Sequence, residues 1–414
     1  MSAPVNPERL RQVEDAFRSL PGRYLGAPRG FDATWHVRLG DIGRTWEVRC
    51  TQHGARVRQG VSCLDPDVVI GTDAETWLAL RAGDINGIEA FADRRLYARG
   101  SLDLAVGFEG LFQLPSGRPP QLRVHAVDLG DGPAISTLTM GEGTDVVLIH
   151  GLGATKASFL DTAAALARHG YRVHAIDLPG FGSSEKPLLA PYDAAWFSRH
   201  VVRLLNALGI ERAHLVGNSM GGRIAIETGL RAPERVRSLT LLCPAVAFVR
   251  RDFWPLVKVL RPELGLLPHG LRRSVVARQV WELFADEDAL DPAVADVVVD
   301  EFRRAYASPA ARAAFLTSAR NLYLDRPFGR GGFYPRLSTL QPPALFVWGT
   351  HDVLIPAGFK RHVEEWLPGA EQLVLEGCGH VPQVERAEQV TGVLLRVLRR
   401  ADALGARPTV RRAA

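Results

Sequence analysis

In the second part of this chain, the runs DVVLIHG, AHLVG, SLTLLCP and ALFVWG are almost continuously apolar, YRVHAID and EQLVLEG are shorter apolar runs of the same kind, and most are separated by stretches of helical pattern. A strand with no polar face must be covered on both sides. The pattern therefore requires a mostly parallel sheet with helices on each face. Such sheets take their ligands at the carboxyl ends of the strands, and functional residues are sought there.

The first roughly 112 residues follow a different pattern. A helix is predicted from about Pro7 to Leu20, and TWHVRL, TWEVRC and ARVRQG then alternate at period two, as antiparallel strands with one buried face do. A strand from Val68 to Thr72 leads into an acid-capped helix carrying Trp77, Leu78 and Leu80. A second helical stretch, a strand from Leu96 to Arg99 and a final apolar helix through Leu111 and Phe112 complete a small α+β domain. The proline-rich LPSGRPPQL reads as a linker. The expected division is residues 1–113, a linker at 114–121, a second domain at 122–400 with a helical insertion at about 245–340, and a disordered tail at 401–414.

Composition excludes several classes. No apolar run reaches the roughly 18 residues of a membrane span, and MSAPVNPERLRQVEDAF carries early acidic residues, unlike a secretory signal. Cys50, Cys63, Cys243 and Cys378 are scattered, which fits neither a disulfide framework nor a zinc site and suits a reducing cytoplasm. The net charge of +5 comes from arginines mostly interleaved with acids, so no nucleic-acid partner is expected. The arginines of Arg407 to Arg412 are expected to be solvated. With no ligand cluster or phosphate-cradling loop, no metal or organic cofactor is expected.

Chemistry concentrates in LVGNSMGGRI, where Gly217-Asn218-Ser219-Met220-Gly221 stands between the strand AHLVG and a helical stretch. A serine on such a sharp turn presents its hydroxyl at the strand end, and the flanking glycines allow close backbone approach. The hydroxyl needs a base, and the base an orienting acid. ALFVWGTHD delivers Asp352 and EQLVLEGCGH delivers His380, each just past a strand and in the chain order Ser, Asp, His. Glu385 and Asp177 are reserve acids, and His351 is the competing base. Met220 N–H and Leu152 N–H, with Gly153 as a substitute, are the candidate donors to an oxyanion. His150 is expected to pin its loop by hydrogen bonds.

With these residues placed, the region from Leu122 to about Arg400 resembles the α/β-hydrolase fold superfamily through HGLG, DLPGFGSS, GNSMGG, GTHD and GCGH. The resemblance implies a doubly wound, mostly parallel sheet under a helical cap. GNSMGG and DLPGFG also occur in carbon–carbon bond hydrolases of ring-cleavage products, but here Val381 stands where those enzymes usually carry tryptophan after the histidine. A serine nucleophile argues against haloalkane dehalogenases and most epoxide hydrolases. Residues 10–112 are similar to the sterol carrier protein 2 family through Asp67, Ile70, Gly71 and Asp73, then Phe91, Leu96, Gly100 and Asp103. That likeness implies a tunnel for an acyl chain or sterol-like lipid; the competing expectation is a docking module with an ordinary core.

Between SLTLLCP and ALFVWG lie about 100 residues of helical pattern, far more than a crossover needs. Phe253, Trp254, Trp281, Phe284 and Phe315 there are candidate walls of a hydrophobic pocket. The expected activity is hydrolysis of a hydrophobic ester or lipid through an acyl-enzyme. Two alternatives stand beside it: a carbon–carbon hydrolase or cofactor-free perhydrolase using the same residues, and a lipid carrier whose hydrolase-like part turns nothing over.

Overall fold

The computed structural model describes residues 6–249, 261–267, 272–286 and 292–405. The chain divides into two compact units, Met1–His125 with Leu138–Gly141 and Ala126–Thr137 with Glu142–Ala414. The first unit extends past the linker expected at 114–121. Leu122 is fully buried, and Leu122 to Val124 pack against Gly107 and Gly110 within that unit.

In the first unit, the helix Pro7–Ser19 starts with proline in its first turn and the Asn6 side chain accepting from Glu8 N. A five-stranded sheet has the order β3-β2-β1-β4-β5, with β1 Asp32–Leu39, β2 Arg44–Thr51, β3 Gly54–Gln59, β4 Val68–Thr72 and β5 Leu96–Gly100. The first three strands are antiparallel neighbours, as the alternation predicts, and β4 joins β1 in parallel. Ala33, Trp35, Val37 and Leu39 turn inward from β1. Phe17 lies between Trp46 and Trp77, both rings at 4.4 Å and nearly parallel to it. The apolar helix expected through Phe112 instead ends at Gly107, and a single 3-10 turn follows at Glu109–Leu111. Glycine weakens helix at 107 and 110, and the backbone of Leu122 approaches so closely that a Cβ on Gly110 would stand 2.9 Å from its carbonyl oxygen.

The remaining strands are β6 Leu122–Val127 and β7 Ile135–Met140, each divided between the two units, and, in the second unit, β8 Thr144–Ile149, β9 Tyr171–Ile176, β10 Ala213–Asn218, β11 Val236–Leu242, β12 Ala344–Gly349 and β13 Glu371–Leu375. They form one sheet in the order β13-β12-β11-β10-β8-β9-β7-β6. From β13 to β9 all pairs are parallel. The central strands are buried along nearly their whole length, the consequence of cover on both faces. The chain moves outward from β8 to β9 on one side and returns to β10 on the other. Strand ends diverge at such a reversal and open a crevice, and β8 and β10 carry the motifs of interest.

Between β11 and β12 the described residues are largely helical: Pro262–Gly265, Arg273–Trp281, Pro292–Ala305, Pro309–Leu324 and Phe333–Leu337. Buried Arg312 gathers this insertion, donating to the carbonyls of Gly265 (2.9 Å), Leu267 (3.2 Å), Tyr306 (3.1 Å) and Ala307 (2.8 Å). The last helix, Ala387–Gly405, overruns the tail expected from 401. Asp402 holds it, accepting from Tyr171 Oη at 3.3 Å and pairing with His214 Nε2 at 3.1 Å. Residues 406–414, with the arginines of that tail, lie outside the described residues.

Candidate active site

β10 runs into Ser219, whose backbone takes φ 53° and ψ −115° before the helix Met220–Arg231 begins. A positive φ strains any side chain with a Cβ and persists only where neighbours overdetermine it. Here Ser219 N donates to Leu242 O at 2.9 Å, while its carbonyl accepts from Arg223 N at 3.1 Å and Ala245 N at 2.9 Å. The flanking glycines are required by close approach: a Cβ on Gly217 would stand 2.3 Å from Gly221 O, and one on Gly221 2.0 Å from Ile149 O.

His380 and Asp352 meet as the strand ends predict, with Nδ1 and Oδ2 at 2.7 Å and both residues buried. The other carboxylate oxygen of Asp352 accepts from Leu354 N at 2.9 Å and Ile355 N at 2.8 Å, which fixes its orientation. Asn218, which sequence reasoning passed over although it lies inside GNSMGG, ties the serine turn to the histidine loop. Its Nδ2 donates to Leu242 O at 3.1 Å and to His380 O at 3.0 Å.

The reserve residues have other duties. Asp177 is buried and its carboxylate accepts from Lys156 Nζ at 2.7 Å, Lys156 N at 2.7 Å and Ser183 N at 2.9 Å. Burial opposes that charge, but the charge and hydrogen bonds of Lys156 more than offset it and hold the carboxyl below its ordinary range. Glu385 accepts from Gly379 N at 2.6 Å and from Ala285 N at 3.0 Å, so it joins the histidine loop to the insertion. His380 N adds a bond to Leu283 O at 2.7 Å. His351 is exposed beside Thr350 Oγ1.

His150 pins its loop as expected. Its Nε2 accepts from Leu178 N at 2.9 Å, which leaves Nδ1 to donate to Gly151 O at 2.7 Å. Burial lowers its pKa and keeps the ring neutral. The loop runs against the nucleophile turn, since a Cβ on Gly151 would lie 3.2 Å from Ser219 Cβ. The N–H groups of Leu152 and Met220 donate to no acceptor among the described residues, and Gly153 takes φ 77°.

Cys243 Sγ, an Asp352 oxygen and a His380 nitrogen lie within 4.8 Å of one another, a cluster absent from the sequence reading. Burial, then the neighbouring Asp352, push the Cys243 thiol well above its ordinary pKa. The donor set suits a histidine–carboxylate pair.

Of the proposed pocket walls, Phe315 is half-buried and reaches Gly153. Trp281 and Phe284 pack on each other at 6.3 Å, and Phe284 joins Val276, Val280 and Val299 in a cluster inside the insertion. Phe253 and Trp254 lie outside the described residues. Phe302 and Tyr306 were missed, though their four-residue spacing in DEFRRAYA puts them on one helical face. A cavity of about 200 Å³ flanks the helix Met220–Arg231, lined by Arg223, Arg231 and Arg336 together with Glu227 and Asp325. Those charges pair among themselves.

The profile of the α/β hydrolase fold matches residues 145–387, and that of the SCP-2 sterol transfer family matches residues 21–113. A pimeloyl-[acyl-carrier protein] methyl ester esterase of Aeromonas salmonicida (strain A449) is 30% identical over 264 residues, 63% of this chain and 98% of its own length. A 2-hydroxymuconate semialdehyde hydrolase of Pseudomonas putida is 31% identical over 272 residues, 64% of this chain and 90% of its own. The solved structure of a membrane phospholipase A, described as a bacterial virulence factor, superposes with a TM-score of 0.57 at 30% identity, covering 68% of this chain and 87% of that one. This chain belongs to the α/β hydrolase fold family and carries an N-terminal domain of the SCP-2 sterol transfer family.

Proposed function

We propose that this protein is a serine hydrolase that cleaves a hydrophobic carboxylic ester, working in a reducing compartment such as the cytoplasm. The observation that carries the reading is the 2.7 Å contact of His380 Nδ1 with Asp352 Oδ2, bound through Asn218 to a strained Ser219 turn. Ser219 Oγ attacks the ester carbonyl while His380 Nε2 takes its proton. Asp352 holds the imidazole in the tautomer that leaves Nε2 free and stabilises the cation that forms. Negative charge on the carbonyl oxygen falls to the N–H groups of Met220 and Leu152, donors of a kind worth about 10²- to 10³-fold each. His380 then protonates the leaving alcohol, and water activated by the same ring releases the acid and restores Ser219.

Ester over carbon–carbon cleavage is favoured by Val381 and by the ester chemistry of the Aeromonas relative. The N-terminal domain is assigned to holding or presenting a lipid-like substrate. Aryl esters of graded acyl length, assayed with wild type and Ser219→Ala, test the reading. We expect Ser219-dependent turnover that rises with chain length. Turnover of a ring-cleavage dienoate without ester turnover would replace the reading by the carbon–carbon one. Lipid binding without any Ser219-dependent reaction would replace it by the carrier.

A further inference from the structure

Tyr306 is 9% exposed, and its hydroxyl is enclosed with no hydrogen-bond partner among the described residues. Its ring stacks on Phe302 at 4.5 Å and meets the edge of Phe315 at 4.7 Å, so the side chain is held on two sides. The hydroxyl faces the loop that carries Leu152: a Cβ placed on Gly153 would lie 3.1 Å from Tyr306 Oη, 2.9 Å from Phe302 and 3.2 Å from Phe315. Two residues back, Gly151 abuts Ser219.

A buried phenol without an acceptor costs about 1–3 kcal/mol, and phenylalanine would fill the same ring volume without that cost. The hydroxyl therefore needs an acceptor that the described residues do not supply. Its surroundings point to where that acceptor comes from. Leu152 N–H and Met220 N–H are likewise donors with no acceptor among the described residues, and Leu152 lies between Gly151, which abuts Ser219, and Gly153, against which Tyr306, Phe302 and Phe315 form a wall. The rest of that wall, Phe302 and Phe315, is apolar.

We propose that Tyr306 Oη is a specificity-determining donor, reading a second acceptor oxygen in an otherwise apolar ester, a few bonds from the scissile carbonyl. Gly151 and Gly153 are separated by at most about 7 Å of chain, which sets that spacing. With the aromatic side chains seated on Gly153 the hydroxyl is shut from solvent, so the ligand meets it by entering between the loop and the helix Pro292–Ala305. Burial raises the phenol's pKa well above its ordinary value, so it remains a donor throughout the working range of the enzyme. This inference rests on the ester-hydrolase reading for its substrate, but not for its test.

The test compares 4-nitrophenyl butoxyacetate with 4-nitrophenyl heptanoate, equal in chain length and differing by one ether oxygen. We expect Tyr306→Phe to reduce the ratio of kcat/KM for the ether ester over the plain ester by about tenfold or more, as losing a buried donor's partner does. We also expect it to raise the melting temperature of the free protein. In parallel, calorimetry in a Ser219→Ala background measures binding of butoxyacetate and heptanoate with Tyr306 intact and with Tyr306→Phe. Ester turnover with an unchanged ratio overturns the inference and leaves the proposed function standing. A binding preference for butoxyacetate that disappears with Tyr306→Phe, without any ester turnover, supports the inference and overturns the proposed function. Equal binding of the two acids, or of neither, overturns the inference whatever the turnover.

Discussion

Replacing Glu385 tests how the histidine is held. Its carboxylate, 7% exposed as a residue, is the acceptor of both Gly379 N–H and Ala285 N–H. Glu385→Ala removes that acceptor from two enclosed donors, and each orphaned donor costs about 1–3 kcal/mol, so roughly 2–6 kcal/mol is at stake if nothing moves. Movement is the easier outcome. Gly379 immediately precedes His380, and Ala285 lies two residues beyond the Leu283 carbonyl that His380 N engages. Parting the two segments lets water reach both N–H groups and displaces the imidazole. A misplacement of about 1 Å costs on the order of 10²-fold in rate. We therefore expect kcat to fall about 10²-fold while KM changes far less, with global stability reduced by about 2 kcal/mol, the remainder being relieved locally. Glu385→Gln retains one acceptor oxygen and sets an NH₂ against the other N–H, so it should lie between. Steady-state kinetics with a soluble aryl ester and urea denaturation of each variant measure both quantities. A Glu385→Ala protein with wild-type kcat and wild-type stability would refute the reasoning.

Other expectations concern neighbouring groups. Asp352→Asn keeps an acceptor for Leu354 and Ile355 but sets an NH₂ against His380 Nδ1, forcing the wrong tautomer. Steady-state kinetics should show kcat lowered on the order of 10⁴-fold, with the melting temperature nearly unchanged. Lys156→Met strands the buried Asp177 carboxylate, and denaturation at pH 7 should show a loss of about 3–5 kcal/mol. Because the folded Asp177 carboxyl lies below its unfolded value, its stabilising contribution is present above about pH 4 and lost as pH falls through the lower folded value. Acid unfolding of Lys156→Met should accordingly begin at higher pH than wild type. In the first unit, burial outweighs the Gly87 N–H and Arg81 and raises the Glu109 carboxyl to about 7. A raised carboxyl favours the fold below its unfolded pKa and loses that contribution as pH rises through 7, so Glu109→Gln should gain about 2 kcal/mol relative to wild type at pH 8.5 compared with pH 5. Urea midpoints at the two pH values check this.

Local signals carried much of the architecture. β4 was legible to the residue at Val68–Thr72 because an apolar run ends there at an acid that caps the next helix. The serine turn was legible because its chemistry lies within five residues, and strand ends then directed attention to Asp352 and His380. What escaped depends on partners distant in sequence. The duty of Glu385 is set by Ala285, one hundred residues earlier. The final helix continues past Arg400 because Asp402 finds Tyr171 and His214, which nothing near Asp402 announces. Gly153 sits in HGLG, yet only folding puts Tyr306 on it.

Arg312 grips four carbonyl oxygens, and every residue has a carbonyl. The side chains of residues 265, 267, 306 and 307 are therefore not specified by this grip, and only the path of the backbone is. Substitutions at residues 267, 306 and 307 leave those acceptors in place, whereas Gly265 is held to glycine on other grounds, since a Cβ there would stand 2.5 Å from Ala313 N. A lineage could thus exchange one set of pocket linings for another through single viable steps, while the nucleophile and its base on the sheet stay under separate selection.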